Sequence, residues 1–280
     1  MGRWGVNECG CGVEERLVVL GVAEPLDVKG GDDGSGLTGI TSSSPTTIIM
    51  AGSLAAVKKE LRKKIKNVLK ELPEAAAVTQ TSKATKTLLA MPEYQAARRI
   101  SVYLSMPSGE ISTSSIVRDA LAQGKQVFIP YTFKLSNPEE GQPESIMDMV
   151  ELRSMHDFES LQPDKWGIPT PDKDGISSRA NCFGSTGITQ GETPTSSRKE
   201  SLDLIVMPGM AFDSKFGRLG HGKGFYDYFL TRCHQSSRMP FRVGLSLTEQ
   251  FLPQSESVPM DSSDFRLDAL ITGDGEIRRA

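Results

Sequence analysis

Histidines, cysteines and long apolar runs are all scarce in this chain of 280 residues, and each scarcity removes a class of function. The three histidines, His156, His221 and His234, are scattered, and no serine sits in a nucleophile elbow, so the sequence offers no hydrolytic triad. The four cysteines, Cys9, Cys11, Cys182 and Cys233, lack metal-site spacing, and a reduced, cytoplasmic setting suits them. No apolar run reaches the ~18 residues of a membrane span, so no membrane association is expected. The formal net charge is only −3, which argues against a dedicated nucleic-acid binder; basic residues matter here only where they cluster. No internal repeat is visible. What remains is an ordinary globular composition, 38% hydrophobic and 24% charged, in a chain long enough to bury a substantial core.

The first 49 residues differ from the rest. They set Arg3, Arg16 and Lys29 against Glu8, Glu14, Glu15, Glu24, Asp27, Asp32 and Asp33, the wrong balance for a mitochondrial transit peptide. The short apolar patch Leu17–Ala23 follows Glu14-Glu15, which spoils a secretory leader. Residues 30–47 are Gly/Ser/Thr-rich and cannot bury enough surface to order themselves. Residues 1–49 are therefore expected to be a disordered extension, or the product of a misassigned start codon, before a single domain over 50–280.

Leu54, Val57, Leu61, Ile65, Val68 and Leu72 recur at spacings of three and four, predicting an amphipathic helix over 54–72. Its other faces carry Lys58, Lys59, Arg62, Lys63, Lys64, Lys66 and Lys70 against Glu60 and Glu71. Such a run is often only a solvated face, yet this one leaves a positive stripe suited to a polyanion. A weaker helix is expected over 78–90. Alternation at Ile100, Val102 and Leu104 predicts a strand over 99–104, then a helix capped by Ser112 or Thr113 and ended by Gly124, then a short strand 126–129 stopped by Pro130. A strand over 147–153 on a sheet edge and an extended loop over 166–171 follow. Ser, Thr and Gly make up nearly half of 173–200, with no apolar period, predicting a flexible insertion. Strands over 203–207, 241–246 and 268–272 and a helix over 225–233 complete the pattern. Alternating strands and helices predict an α/β fold: three layers, a mostly parallel doubly wound (Rossmann-like) sheet, helices on both faces, ligands at the strands' carboxyl ends.

One such end carries the chemistry. After Leu204-Ile205-Val206 and Pro208, the chain places Gly217, Gly220, Gly222 and Gly224 close together, with Arg218 and Lys223 among them and Asp227 in the first turn of a helix. Converging main-chain N–H groups and a helix N-terminus favour an anion. A glycine-rich turn alone is often nothing more than a tight turn. Standard motifs also fail: there is no G-x-x-x-x-G-K-[ST], and Phe225 stands where G-x-G-x-x-G needs glycine.

The residue order is more specific. Pro208-Gly209, Phe212-Asp213 and Gly217-Arg218-Leu219-Gly220-His221-Gly222-Lys223-Gly224-Phe225-Tyr226-Asp227 resemble the 5-formyltetrahydrofolate cyclo-ligase (5,10-methenyltetrahydrofolate synthetase) family. Lys58–Arg62, the block from Arg99 to Glu110 and Asp264-Phe265-Arg266-Leu267-Asp268 fall in that family's order, so the resemblance runs from about residue 50 to 272. It implies an enzyme that uses ATP and Mg²⁺ to convert 5-formyltetrahydrofolate, polyglutamylated or not, to the 5,10-methenyl form, working as a cytoplasmic monomer. It implies ATP contacts from Lys58, Lys59, Glu60, Leu61 and Arg62, and from Arg218, Leu219, Gly220, His221, Gly222, Lys223, Gly224, Phe225 and Tyr226. Substrate contacts would come from Arg62, Leu104, Glu110 and His221 to Phe225; Lys223, Arg218 and Arg62 would be catalytic; Asp227 and Asp264 would hold Mg²⁺. Two positions depart from the pattern: His221 stands where several relatives carry arginine, and Phe225 replaces the first tyrosine of Tyr-Tyr-Asp.

Two rival readings stand beside this one. The first is a catalytically silent relative that binds folate or nucleotide in a regulatory or RNA-associated role; loss of Arg62, Lys223 or Asp227 would favour it, and all three are present. The second is another phosphate-handling α/β enzyme such as a sugar-phosphate isomerase, against which the basic helix and the full loop order both count. The composition of the first 49 residues generates a prediction. A chain beginning at Met50 is expected to match the full chain in melting temperature and turnover; loss of either would show that the extension packs on the domain.

Overall fold

The computed structural model describes residues 53–192, 201–236 and 239–280; the extension expected over 1–49 and the last part of the expected insertion, 193–200, lie outside them. Three helices open the fold: α1 (Leu54–Lys70), α2 (Glu74–Ala90) and α3 (Pro92–Ala96). Ser53 caps α1, its hydroxyl accepting from the Ala56 N–H at 3.3 Å. α2 begins four residues earlier than its pattern indicated, directly after Pro73; it buries only Ala84, Thr85 and Leu88, too narrow a face to give a clear period.

The sheet strands are β1 (Arg99–Val102), β2 (Gln126–Lys134) and β3 (Ser145–Leu152), with α4 (Ser114–Ala122) between the first two. Then come α5 (Met155–Ser160), a small hairpin of β4 (Gln162–Pro163) and β5 (Pro169–Thr170), and α6 (Lys173–Ile176). After these follow β6 (Leu204–Met207), a second small hairpin of β7 (Ala211–Phe212) and β8 (Arg218–Leu219), and α7 (Phe225–Gln235). Finally β9 (Phe241–Ser246), β10 (Ala269–Thr272) and β11 (Ile277–Arg279) complete the sheet. Its order is β11-β10-β9-β6-β1-β2-β3. The five strands from β10 to β2 run parallel, and both edges, β11 and β3, run antiparallel.

Alternation along the strands separates two cores. Ile100, Val102, Val127, Ile129, Leu204, Val206, Val243 and Leu245 pack with α2 and α4 residues such as Leu88, Ile116 and Val117. Phe128, Ile205, Met207 and Leu270 point the other way, onto Phe229, Leu230 and Cys233 of α7. Helices thus cover both faces, as a doubly wound sheet requires. The crossover from β1 to β2 carries α4 on one face, and that from β6 to β9 carries α7 on the other. The sheet therefore has its switch point between β1 and β6.

Three local expectations need correction. Pro130 does not stop β2, which runs on to Lys134 opposite β3. β1 pairs with β2 only as far as Phe128, so beyond it β2 has a single neighbour and a residue without an N–H is tolerated. Thr113 stands at the N-cap of α4, but its hydroxyl donates to the Tyr103 carbonyl at 2.5 Å instead of capping the helix.

The third correction concerns 173–200. Its described part, 173–192, is folded. Cys182 N–H donates to Met149 O at 2.9 Å and Glu151 N–H to Ala180 O at 2.8 Å, covering the free edge of β3. Arg179 forks onto both Asp157 carboxylate oxygens at 2.6 Å. Deeper in, Arg232 of α7 meets Asp148 of β3 at 2.6 Å, and both side chains are buried. Asp148 also accepts from the Thr189 N–H at 2.6 Å and the Asn181 amide at 3.2 Å. A polar segment without apolar period is ordered here because a buried ion pair uses its hydrogen-bonding groups. Removing one partner of such a pair leaves an uncompensated charge, so Asp148→Ala is expected to cost about 3–5 kcal/mol in urea unfolding. Limited proteolysis should then cut within 177–192; an unchanged unfolding midpoint would contradict this account.

Candidate active site

β6 ends at Met207 on the carboxyl edge of the sheet, and Pro208-Gly209 turns the chain into the β7–β8 hairpin. Asp213, at its turn, is buried and pairs with no cation among the described residues. Its Oδ1 accepts from the N–H groups of Lys215 and Gly217, each at 2.8 Å, and its Oδ2 from that of Val258 at 2.7 Å. A Cβ on Gly217 would lie 2.7 Å from Asp213 Oδ2, which explains a glycine there. The hairpin's Ala211 and Leu219 join Met210, Leu252 and Val258 in a small core against Ile65 and Leu61 of α1. That packing brings the basic helix to the glycine loop.

Arg62 Nε donates to the Gly220 carbonyl at 2.8 Å. Gly222 has φ +98°, a conformation that requires glycine, and it lies against the Arg62 guanidinium. Lys58 Nζ lies 2.6 Å from Asp264 Oδ2 and 3.3 Å from Asp261 Oδ2. Burial lowers the Lys58 pKa, but the hydrogen bonds and charges of those two carboxylates more than offset it and leave it raised. The Ser263 hydroxyl and N–H, with Lys58, hold Asp261 down to about 2. Lys59 and Glu60 are exposed and make no hydrogen bond to the loop among the described residues; Leu61 and Leu219 sit in the small core.

Beyond Gly220, His221, Gly222, Lys223 and Gly224 are exposed, and Gly224 is the N-cap of α7. Lys223 has no polar partner among the described residues, leaving its ammonium available beside a helix N-terminus. Phe225 and Tyr226 pack onto the core under α7. Asp227, in the first turn, accepts from Arg218 at 2.9 Å through Oδ2 and from the Phe265 N–H at 3.3 Å through Oδ1. The second contact brings the segment holding Asp264 beside Asp227.

Across the switch point, Leu104 is buried just after β1. The Glu110 side chain is also buried; its Oε2 accepts from the Met106 N–H at 3.0 Å, and its Oε1 lies 3.2 Å from His221 Nε2. The loops after β1 and β6 therefore meet through a histidine–carboxylate contact. Behind it, the buried Gln250 amide donates to Gly109 O at 3.2 Å and Gly209 O at 2.8 Å, joining the same two loops. Sequence reasoning missed Gln250, which stands in no motif. It left Asp213 without a role although the Phe212-Asp213 pair belongs to the resemblance.

Asp227 and Asp264 offer hard oxygen ligands. Among the described residues no three His, Cys, Asp or Glu side chains gather into a closed metal site. Two neighbouring carboxylates suit an ion that takes its other ligands from phosphate and water, as Mg²⁺ does.

The profile of the 5-formyltetrahydrofolate cyclo-ligase family matches residues 54–273. The chain is 33% identical over 226 residues to 5-formyltetrahydrofolate cyclo-ligase of Mus musculus, covering 80% of this chain and 97% of the relative. It is 30% identical over 238 residues to the enzyme of that name from Saccharomyces cerevisiae, covering 79% and 98%. Its fold matches the NMR structure of Aquifex aeolicus 5,10-methenyltetrahydrofolate synthetase with a TM-score of 0.55, at 24% identity, over 80% of this chain and 92% of that one.

The grip of Asp213 on three main-chain donors carries a prediction for the hairpin. The Gly217 and Val258 N–H groups are buried, and leaving each unsatisfied costs about 1–3 kcal/mol, so Asp213→Ala is expected to lower stability by at least about 2 kcal/mol in urea unfolding. A smaller change would show that water or another acceptor replaces the carboxylate.

Proposed function

The chain belongs to the 5-formyltetrahydrofolate cyclo-ligase family, and from that premise we propose that it converts 5-formyltetrahydrofolate to 5,10-methenyltetrahydrofolate with ATP as co-substrate. The formyl oxygen takes the γ-phosphoryl group and ADP leaves. The neighbouring amine nitrogen then attacks the formyl carbon, and phosphate departs with that oxygen as the ring closes. Phosphoryl transfer of this kind needs positioning and charge neutralisation more than a protein nucleophile. The observation that carries the reading is the 2.8 Å contact of Arg62 with Gly220, which places a basic helix against a glycine loop at the switch point.

In this reading Lys223, exposed beside the N-terminus of α7, neutralises the transferring phosphoryl group. Lys58 and Arg62 face the polyphosphate from α1. The chemistry of the bound ion, held by Asp227 and Asp264, is to neutralise phosphate charge. Glu110 faces the pterin: its buried carboxylate, held by Met106 N–H and His221, can accept from a pterin's amino and ring N–H groups. The exposed Lys59, Lys63 and Lys66 suit a polyglutamate tail. The free thiols Cys182 and Cys233 support a cytoplasmic setting. Among the described residues no helix is long and apolar enough to cross a membrane.

Methenyl-folate formation, followed spectrophotometrically, should require both ATP and Mg²⁺; product without ATP, or none with both present, would refute the reading. Lys223→Ala is expected to lower turnover about 10²–10³-fold with the melting temperature unchanged, the usual cost of removing a charge from a developing anion. Near-normal turnover in the folded variant would take that role from Lys223.

A further inference from the structure

Arg218 lies in the middle of the glycine loop, yet it is not presented to a ligand there. Its side chain is 2% exposed. One guanidinium nitrogen donates to Asp227 Oδ2 at 2.9 Å, another faces the Pro208 carbonyl at 3.3 Å, and the Tyr226 ring centroid lies 5.3 Å from its centre. Its Nε is buried with no partner among the described residues. The glycines around it form its sleeve: a Cβ on Gly220 would sit 3.0 Å from its terminal nitrogen, and one on Gly209 3.2 Å from its Cγ. Lys223, three residues after Gly220, is by contrast exposed and unpartnered among the described residues.

We propose that Arg218 is a positioning residue that acts through Asp227, and is not a ligand of the triphosphate. The proposal rests on the reading of Asp227 as a magnesium ligand. With one guanidinium nitrogen on Asp227 Oδ2 and another on the Pro208 carbonyl, Arg218 fixes the orientation of the Asp227 carboxylate whether or not an ion is bound. Among the described residues the carboxylate's other oxygen, Oδ1, receives only the long 3.3 Å contact from Phe265 and is the one left to take an ion. Gly209 and Gly220 then serve the metal carboxylate indirectly, by leaving room for the arginine. Lys223, Lys58 and Arg62 remain the cations that meet phosphate.

A ligand of phosphate and a holder of Asp227 differ in one measurable respect. Losing a phosphate contact weakens ATP binding without metal; losing the holder weakens only the gain that Mg²⁺ adds. ATP affinity of the full chain would be measured by calorimetry in EDTA and across a MgCl₂ titration, for wild type, Arg218→Lys, Asp227→Asn and their double variant. Arg218→Lys is expected to leave ATP affinity in EDTA within about 2-fold and to raise the Mg²⁺ needed for half the gain about 10–100-fold, as for other residues that orient a metal ligand. Asp227→Asn should do the same, and the double variant should be no worse than the stronger single one, because both act on one contact.

Should the buried Arg218→Lys fail to fold, Arg218→Met combined with Asp227→Leu leaves no unpaired charge inside and serves instead. That pair is expected to keep ATP affinity in EDTA and to lose the gain from Mg²⁺. A loss of ATP affinity in EDTA of about 10-fold or more in either Arg218 variant would place the guanidinium on phosphate and overturn the assignment. So would additive effects of Arg218→Lys and Asp227→Asn on the Mg²⁺ requirement. No ATP binding by wild type under any condition would instead refute the functional reading, and the assignment with it.

Discussion

Two crossovers that leave β1 and β6 on opposite faces create the feature on which the rest of the site depends. The connection after β1 carries α4 to one face, and the connection after β6 carries α7 to the other, so neither helix covers the gap between the two carboxyl ends. The loops leaving those ends must then be held in place by side chains. Gln250 joins their backbones at Gly109 and Gly209, Asp213 gathers two main-chain donors of the second loop and that of Val258, and His221 meets Glu110 across the opening. Each is a polar group with at least one bond that crosses between segments distant in the chain.

Charge balance is the second constraint. The proposed ligands of a metal ion and a polyphosphate would repel their own kind if left alone in a partly buried site. In the fold they are paired with each other: Asp264 and Asp261 with Lys58, and Asp227 with Arg218. The two pairs differ in access. The Lys58 side chain is partly exposed, whereas Arg218 lies inside a sleeve of glycine backbone. Glycines in this loop consequently do two things, freeing main-chain N–H groups near the helix N-terminus and letting the backbone close around an arginine.

Much of this was legible in the chain. The helix over Leu54–Lys70, the strands around Ile100, Leu204 and Val243, and the doubly wound order follow from local periodicity and from Gly and Pro punctuation. The glycine loop could be recognised because its residue order is contiguous. Less legible were features whose cause lies across the sheet. The strand through Pro130 depends on where β1 stops pairing, and the ordering of 173–192 depends on Asp148 and Arg232, residues of two other elements.

Sequence alone therefore determined the layering, the family and the set of charged residues around the loop, because these rest on periodicity and on contiguous order. Tertiary structure alone decided which of those charges are available. Lys223 and Arg218 stand five residues apart in one motif, and nothing in their spacing separates them. Only the fold shows one exposed at the N-terminus of α7 and the other buried against Asp227, Tyr226 and two glycines. The physical reason is desolvation: a charge removed from water must find its partner nearby, and that partner is set by packing, not by position in the chain.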